Sequence, residues 1–546
     1  MRGLMQDRPL LISSQLRYAA DYHGEREIVG RMIDGSIHRT NGAEVHGRAQ
    51  RLAKALTALG VEPGARVGTI AWNNHRHVEI YFAVPGMGAV CHTINPRLFG
   101  EQIVYIANHA EDKYIFLDTT FVPLVEAIAD QLPSVKGYVI MAAEADMPET
   151  TLANVMCYET LLAAQEPGYD WPQFDEYTAS SLCYTSGTTG NPKGVLYAHR
   201  STVLHSACVC SMDGLGVGSG ETILAIVPMF HANCWGTPYA AASCGAKMVF
   251  PGPHMDGASV HELIEQEQVT LTLGVPTVWL GLIGYLRETG KRLDTVKRAV
   301  IGGTAVPRSM METLQEEYDV QVVHAWGMTE TSPLGTTGLL KANAAGLDKE
   351  ARYRLQLKQG RAIFGVDLKI VDDEGNELPR DGVAFGNLMV RGPWIASGYF
   401  KGEGGEMMDA DGFFPTGDVS TLDPEGYMEI TDRAKDVIKS GGEWISSIDL
   451  ENTAMGHPGV AEAAVIGVHH PKWDERPLLI VVREKGSEAS GAEILDYLTG
   501  KIAKWWMPDD VVFTDELPHT ATGKVLKTKL REDYANYVLP TARKAG

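Results

Sequence analysis

Between residues 40 and 120 the chain alternates two periodicities, and this restricts its fold more than any other feature. Val45, Ala49, Leu52, Ala53, Leu56 and Leu59 share one helical face. Residues 66–71 then read as a strand, 78–84 as a helix and 88–92 as a strand. Short apolar runs separated by helices predict a mostly parallel sheet covered on both faces. Residues 181–183 form another buried strand. It feeds Tyr184-Thr185-Ser186-Gly187-Thr188-Thr189-Gly190-Asn191-Pro192-Lys193-Gly194, and a helical pattern at 199–210 begins soon after. A strand opening into a loop rich in Gly, Ser and Thr brings backbone N–H groups and hydroxyls around phosphate oxygens, and Lys193 adds a mobile positive charge. The loop lacks the Gly-Lys-Ser/Thr triplet of a Walker A sequence.

A chain of 546 residues exceeds one simple core, so at least two domains are expected. A formal charge of −21 argues against a nucleic-acid binder, and an anionic ligand has to meet a local cluster of cations and backbone donors. The seven cysteines include no Cys-x-x-Cys pair, which favours reduced thiols over a disulfide frame or a zinc site. No apolar run approaches ~18 residues, the N-terminus has no secretory core and the last residues are no peroxisomal address. The expectation is a cytoplasmic protein without membrane insertion.

Further along, other strands end in polar signatures. One leads into Pro228-Met229-Phe230-His231-Ala232-Asn233-Cys234-Trp235. His231 and Trp235 are spaced so that a helical turn would face both to one cavity. His231 reads equally as a packing histidine. Residues 298–301 end in Gly302-Gly303-Thr304, either a plain turn or a backbone against which a flat ring slides. Residues 320–323 run into His324-Ala325-Trp326-Gly327-Met328-Thr329-Glu330. Residues 368–372 and 386–392 look like hairpin strands, and residues 492–505 are amphipathic.

The loop Tyr-Thr-Ser-Gly-Thr-Thr-Gly-x-Pro-Lys-Gly resembles the phosphate loop of the adenylate-forming superfamily, which includes acyl-CoA synthetases, peptide-synthetase adenylation domains and firefly luciferase. Aromatic-Gly-x-Thr-Glu at 326–330, Thr416-Gly417-Asp418, Asp432-Arg433-Ala434-Lys435 and Pro518-x-Thr-x-x-Gly-Lys524 are similar to its other signatures, in the same order. The resemblance implies an α/β fold: a large N-terminal domain (1–434) of mixed, mostly parallel sheets with helices plus a β-rich subdomain. A small mobile α+β C-terminal domain (435–546) would be hinged at Lys435. It implies ATP, CoA and a small carboxylic acid as substrates, with Mg²⁺ as cofactor.

By resemblance, Thr185, Ser186, Gly187, Thr188, Thr189, Gly190 and Lys193 hold the β,γ-phosphates. Gly302, Gly303, Thr304, His324, Ala325, Trp326, Gly327 and Met328 surround the adenine, Thr329 bonds the α-phosphate, and Asp418, Arg433 and Lys435 complete the nucleotide site. Thr185 and Glu330 would ligate Mg²⁺, and Thr329, Glu330 and Lys524 form the catalytic set. His231, Trp235, Gly302, Trp326 and Pro333 would line the acyl pocket, with His231 a wall or a gate. Lys439, Ser440, Gly441, Gly442 and Trp444 would meet CoA, although core packing accounts equally for Trp444.

Peptide-synthetase domains carry an Asp within the segment here occupied by Phe230-His231-Ala232-Asn233, so an amino-acid substrate is not expected. That segment and residues 92–98 look like those of medium-chain acyl-CoA ligases, and especially the 3-methylmercaptopropionate-CoA ligases of marine bacterial dimethylsulfoniopropionate breakdown. The expected reaction joins acid, ATP and CoA into acyl-CoA, AMP and diphosphate. A short- or medium-chain fatty acid is the alternative substrate, a non-catalytic adenylate-binding protein the remote alternative, and a homodimer the expected assembly.

Overall fold

The computed structural model describes residues 1, 3–185, 191–433, 435–440, 443–519 and 525–543, without the side chains of Glu443, Trp444 and Arg543. The helical face read from residues 45–59 is the helix Gly42–Ala58. Asn41 caps it by accepting from the Glu44 N–H, and its buried side is Val45, Ala49, Leu52, Ala53 and Leu56.

Among the described residues three sheets form. In the first, seven-stranded, Val155–Cys157, Gly137–Ile140, Tyr114–Leu117, Arg66–Ile70, Val90–Thr93 and Ala179–Tyr184 lie side by side in parallel, and Gly194–Ala198 closes the edge antiparallel. The second has thirteen strands. Its centre, Lys247–Phe250, Thr222–Ala225, Leu271–Gly274, Arg298–Gly302 and Gln321–Gly327, is parallel. Its far part is antiparallel and contains the expected pairing of Asp367–Val371 with Phe385–Arg391. The third, five-stranded, uses residues between Ile438 and Thr514 alone.

One strand goes beyond the sequence reading. Residues 194–198, left unassigned there between the loop and the helix, form a second strand, because Val195 and Tyr197 alternate inward and pair with 179–184. The Gly/Ser/Thr loop therefore joins a β-hairpin, and the helix His199–Cys210 starts only after it. Residues 492–505 likewise do not form one helix. Gly491–Leu498 ends before Gly500, which sits at φ +77°, and Trp505 lies in a separate short turn.

The two large sheets are pinned together through the loop after Arg66–Ile70. Asn73 donates to the carbonyls of Ala225 (2.9 Å) and Val227 (2.8 Å) and accepts from the Met229 N–H (2.6 Å). This holds the segment leading to His231. Behind it, buried Asp118 accepts from the Trp72 N–H at 2.7 Å and from Asn74 Nδ2 at 3.3 Å. Burial pushes its carboxyl from the ordinary 3.8 up to about 7. A raised folded-state value means that the folded protein keeps a proton the unfolded chain has lost. This contribution to stability is full below pH about 4 and disappears as pH rises through about 7. Asp118→Asn is expected to flatten that slope; urea unfolding at pH 5 and pH 8 checks it, and equal pH dependence in both proteins would count against the assignment.

Candidate active site

The parallel strands of the second sheet deliver their carboxyl ends to one cavity of about 400 Å³, which the phosphate-loop hairpin and a C-terminal segment also border. Thr185, Lys193, His231, Trp235, Gly303, Ala325, Trp326, Gly327, Met328, Thr329, Glu330, Pro333, Arg433 and Lys435 all line it. So do Val525, Leu526, Lys527 and Thr528, which directly follow Lys524. Ser186, Gly187, Thr188, Thr189, Gly190, Gly441, Gly442 and Lys524, with the side chain of Trp444, lie outside the described residues.

Glu330 is buried, and desolvation raises its carboxyl above the usual range, opposed by the Tyr399 hydroxyl, which donates to its Oε1 at 2.6 Å. Thr329 is held by its carbonyl, which accepts from the Tyr197 hydroxyl at 2.6 Å. On the opposite wall, Asp418 Oδ2 accepts from the Trp326 indole N–H at 2.9 Å and its Oδ1 faces Arg433 Nε at 2.8 Å. Asp418 is almost fully buried and borders the cavity only through these two partners. Lys435 faces the cavity, and desolvation lowers its ammonium below the ordinary lysine range, partly opposed by Asp436.

The right-handed helical turn expected at 231–235 is replaced by a left-handed one. Ala232, Asn233, Cys234 and Trp235 have φ of 43°, 53°, 56° and 52°, and Gly236 continues at 70°. Such a turn costs roughly 1–2 kcal/mol per non-glycine residue. Asn233 offsets this by donating to Ser181 Oγ (2.8 Å) and accepting from Cys183 Sγ (3.3 Å), and Thr237 donates to the Cys234 carbonyl (2.6 Å). Gly236 is required at this point: a Cβ would lie 2.7 Å from His205 Nδ1. Burial lowers the His205 pKa to about 3, so the ring is neutral and its Nε2 accepts the Leu334 N–H at 3.2 Å. His231 and Trp235 still share the cavity. The Trp235 ring passes Gly302 so closely that a Cβ there would be 3.3 Å from it.

Several expected site residues stand elsewhere. His324 is buried with Nδ1 at 3.0 Å from the Leu357 carbonyl and does not border the cavity. On a strand, alternate side chains face opposite ways, so Ala325 and Gly327 lie on the face that His324 turns away from, and Trp326 reaches the cavity beside the bulge at Trp326/Gly327. Gly302 and Thr304 stand outside the lining. Lys439 is exposed and its N–H donates to Glu475, whereas Ser440 is buried and its Oγ accepts from Arg476 at 3.2 Å. Neither reaches the cavity in this arrangement. Conversely, Tyr399, Leu215 and Lys527 line it without any signal in the sequence reading, and so does Asn191 of the loop, which that reading does not single out. Lys527 bonds Glu451 at 2.7 Å within the C-terminal part.

The donor set suits a hard divalent cation bound together with phosphate. Among the described residues no three His, Cys, Asp or Glu side chains gather as a metal cage. One buried carboxylate facing a phosphate-sized cavity is what Mg²⁺ needs when substrate oxygens and water complete its shell.

Residues 16–400 match the AMP-binding enzyme family and residues 449–524 the AMP-binding enzyme C-terminal domain. The chain is 54% identical over 534 residues to the 3-methylmercaptopropionyl-CoA ligase of Ruegeria lacuscaerulensis, covering 98% of this chain and 99% of that one. It is 50% identical over 539 residues to the medium-chain-fatty-acid–CoA ligase of Ectopseudomonas oleovorans, covering 99% and 98%. Among solved structures, the anthranilate CoA ligase AuaEII in complex with anthranoyl-AMP superposes with a TM-score of 0.86 at 25% identity, over 97% of this chain and 99% of that one. With both family matches, the near-full-length relatives and the superposition in agreement, the chain belongs to the AMP-binding enzymes.

Proposed function

We propose that the protein is an AMP-forming acid–thiol ligase that converts 3-methylmercaptopropionate, ATP and CoA into the acyl-CoA, AMP and diphosphate. The observation that carries this reading is the convergence of Thr185, Lys193, Thr329, Glu330 and Arg433 with the apolar side chains of Trp235 and Leu215 on one cavity. The relative from Ruegeria lacuscaerulensis suggests the acid.

Carboxylate oxide is too poor a leaving group for direct attack by a thiol. In the first step a carboxylate oxygen bonds to the α-phosphorus, the bond to the β-phosphate breaks and diphosphate leaves. In the second, the CoA sulfur attacks the acyl carbon and the bond to AMP breaks. Two anions must meet in the first step, so positioning and charge neutralisation supply most of the catalysis. Lys193 and the phosphate loop hold the β,γ end, Thr329 orients the α-phosphate, and Lys524 contacts carboxylate and α-phosphate together. Glu330 and Thr185 would hold Mg²⁺, which supplies Lewis-acid neutralisation of phosphate charge. Asp418, anchored by Trp326 and Arg433, takes the ribose hydroxyls. Asp418→Asn keeps an acceptor for the indole but loses the charge, so the KM for ATP rises about tenfold, the loss of one charge-assisted bond, with the acid's KM unchanged. Initial rates over both substrates test this.

The two steps need different partners at the cavity. A swing of residues 435–546 about Lys435 would withdraw Lys524 and bring Lys439-Ser440-Gly441-Gly442 and Trp444 to CoA. The separation of Lys439 and Ser440 from the cavity fits the adenylating arrangement. We place the enzyme in the cytoplasm as a homodimer. Its seven cysteines are free thiols, a state that a reducing compartment maintains, and two-fold dimers are the commonest closed assemblies.

The acid is tested by CoA-dependent pyrophosphate release across a panel from acetate to octanoate that includes 3-methylmercaptopropionate. A maximum at the thioether acid is the expected result. A maximum at hexanoate or octanoate makes the protein a medium-chain fatty-acid ligase, the reading its relative from Ectopseudomonas oleovorans supports.

A further inference from the structure

Tyr399 stands between the two charged groups at the phosphate end of the cavity and touches both. Its hydroxyl donates to Glu330 Oε1 at 2.6 Å, and the Lys193 ammonium lies over its ring, 4.8 Å from the centroid. The backbone repeats the link: the Ala396 N–H donates to the Glu330 carbonyl at 2.8 Å. The ring is fixed from behind by Phe414, edge-on at a centroid distance of 5.8 Å, and its segment packs against Cys183, Val195 and Tyr197 of the phosphate-loop hairpin. Gly404, at φ +80°, lies beside Lys193: a Cβ there would stand 3.4 Å from Nζ, in van der Waals contact. The Lys193 ammonium thus meets both that ring and Gly404.

We propose that Tyr399 is a positioning residue for the metal–triphosphate end of ATP, holding the Glu330 carboxylate with its hydroxyl and the Lys193 ammonium with its ring. A carboxylate alone in a desolvated wall can rotate or turn inward, and a lysine on a four-carbon stem has many rotamers. One rigid side chain that bonds the first and stacks under the second fixes their separation before substrate arrives. The two contacts are separable. Phenylalanine keeps the ring, its contact with Phe414 and the ammonium, and loses only the hydroxyl. Leucine loses both.

This rests on the proposed ATP-dependent reading, and the test separates the two. Binding of Mn²⁺ is measured by the loss of its free EPR signal, with α,β-methylene-ATP present, for wild type, Tyr399→Phe, Glu330→Gln and the double variant. Affinity for the metal-free analogue in EDTA is measured by calorimetry. The proposal expects Tyr399→Phe to weaken Mn²⁺ binding about tenfold while analogue affinity in EDTA stays within twofold. In the Glu330→Gln background the same change should have no further effect. Tyr399→Leu should in addition weaken the metal-free analogue, because the ammonium is released. If wild type binds neither Mn²⁺ nor analogue, the ATP-dependent reading fails. If wild type binds both and Tyr399→Phe binds Mn²⁺ as tightly, or loses the same affinity with and without Glu330, the positioning role is overturned. Thermal melting of each variant accompanies the titrations. Should Tyr399→Phe not fold, the comparison of Lys193→Gln with wild type in EDTA decides: no loss of analogue affinity there overturns the proposal.

Discussion

Lys524→Ala lowers adenylate formation by about 10²–10³-fold and leaves thioester formation from supplied acyl-adenylate within a few-fold of wild type. The first half brings a carboxylate to a triphosphate, and one fixed cation touching both the attacking oxygen and the α-phosphate stabilises charge that develops only in the transition state. Removing one such contact from a water-poor site costs about 3–4 kcal/mol of barrier. In the second half a neutral acyl carbon meets sulfur, and by the proposed swing Lys524 has left. Burst measurements of diphosphate from ATP and acid, set beside CoA-thioester formation from synthetic adenylate, separate the two steps. Equal loss in both would refute the role. The residues that follow, Val525 to Thr528, line the cavity.

Trp235→Ala changes which acid is used rather than whether one is used. The indole lies against Gly302, where a Cβ would stand 3.3 Å from it, and it lines the cavity. Each methylene accommodated in an apolar pocket is worth ~1–3 kcal/mol of discrimination. Opening the space of an indole is expected to raise kcat/KM for octanoate relative to 3-methylmercaptopropionate about 100-fold, with the KM for ATP unchanged. Measured ratios that stay within threefold would remove Trp235 from the specificity role. The left-handed turn is tied down by Asn233 to Ser181 and Cys183, so the alanine variant keeps the wall's backbone and loses only the ring.

What could be read from residues alone divides along a physical line. An element that carries a strong period, such as Gly42–Ala58, stands where its apolar spacing puts it. Motifs that end strands also come to one place, because open parallel sheets gather their carboxyl ends. The failures are tertiary in origin. Residues 194–198 are too short for periodicity to distinguish loop from edge strand, and pairing with 179–184 decides it. The turn at 232–235 adopts a hand that no local preference favours, and its compensation comes from Ser181 and Cys183, some fifty positions away. His324 belongs to a cavity-facing strand yet points to Leu357, a matter of register rather than of residue type. Tyr399 has no charge and no motif to mark it, and only the fold brings its hydroxyl to Glu330.

The central claim is that the acid passes through an adenylate, and oxygen transfer tests it directly. The carboxylate of 3-methylmercaptopropionate is labelled with ¹⁸O and incubated with the enzyme, ATP, Mg²⁺ and CoA, and the products are examined by mass spectrometry. One ¹⁸O in each AMP formed, with unlabelled diphosphate, is the predicted result, because the oxygen that attacks the α-phosphorus leaves with AMP. Label in inorganic phosphate, with ADP as co-product, or thioester formed with no label in AMP, would contradict it.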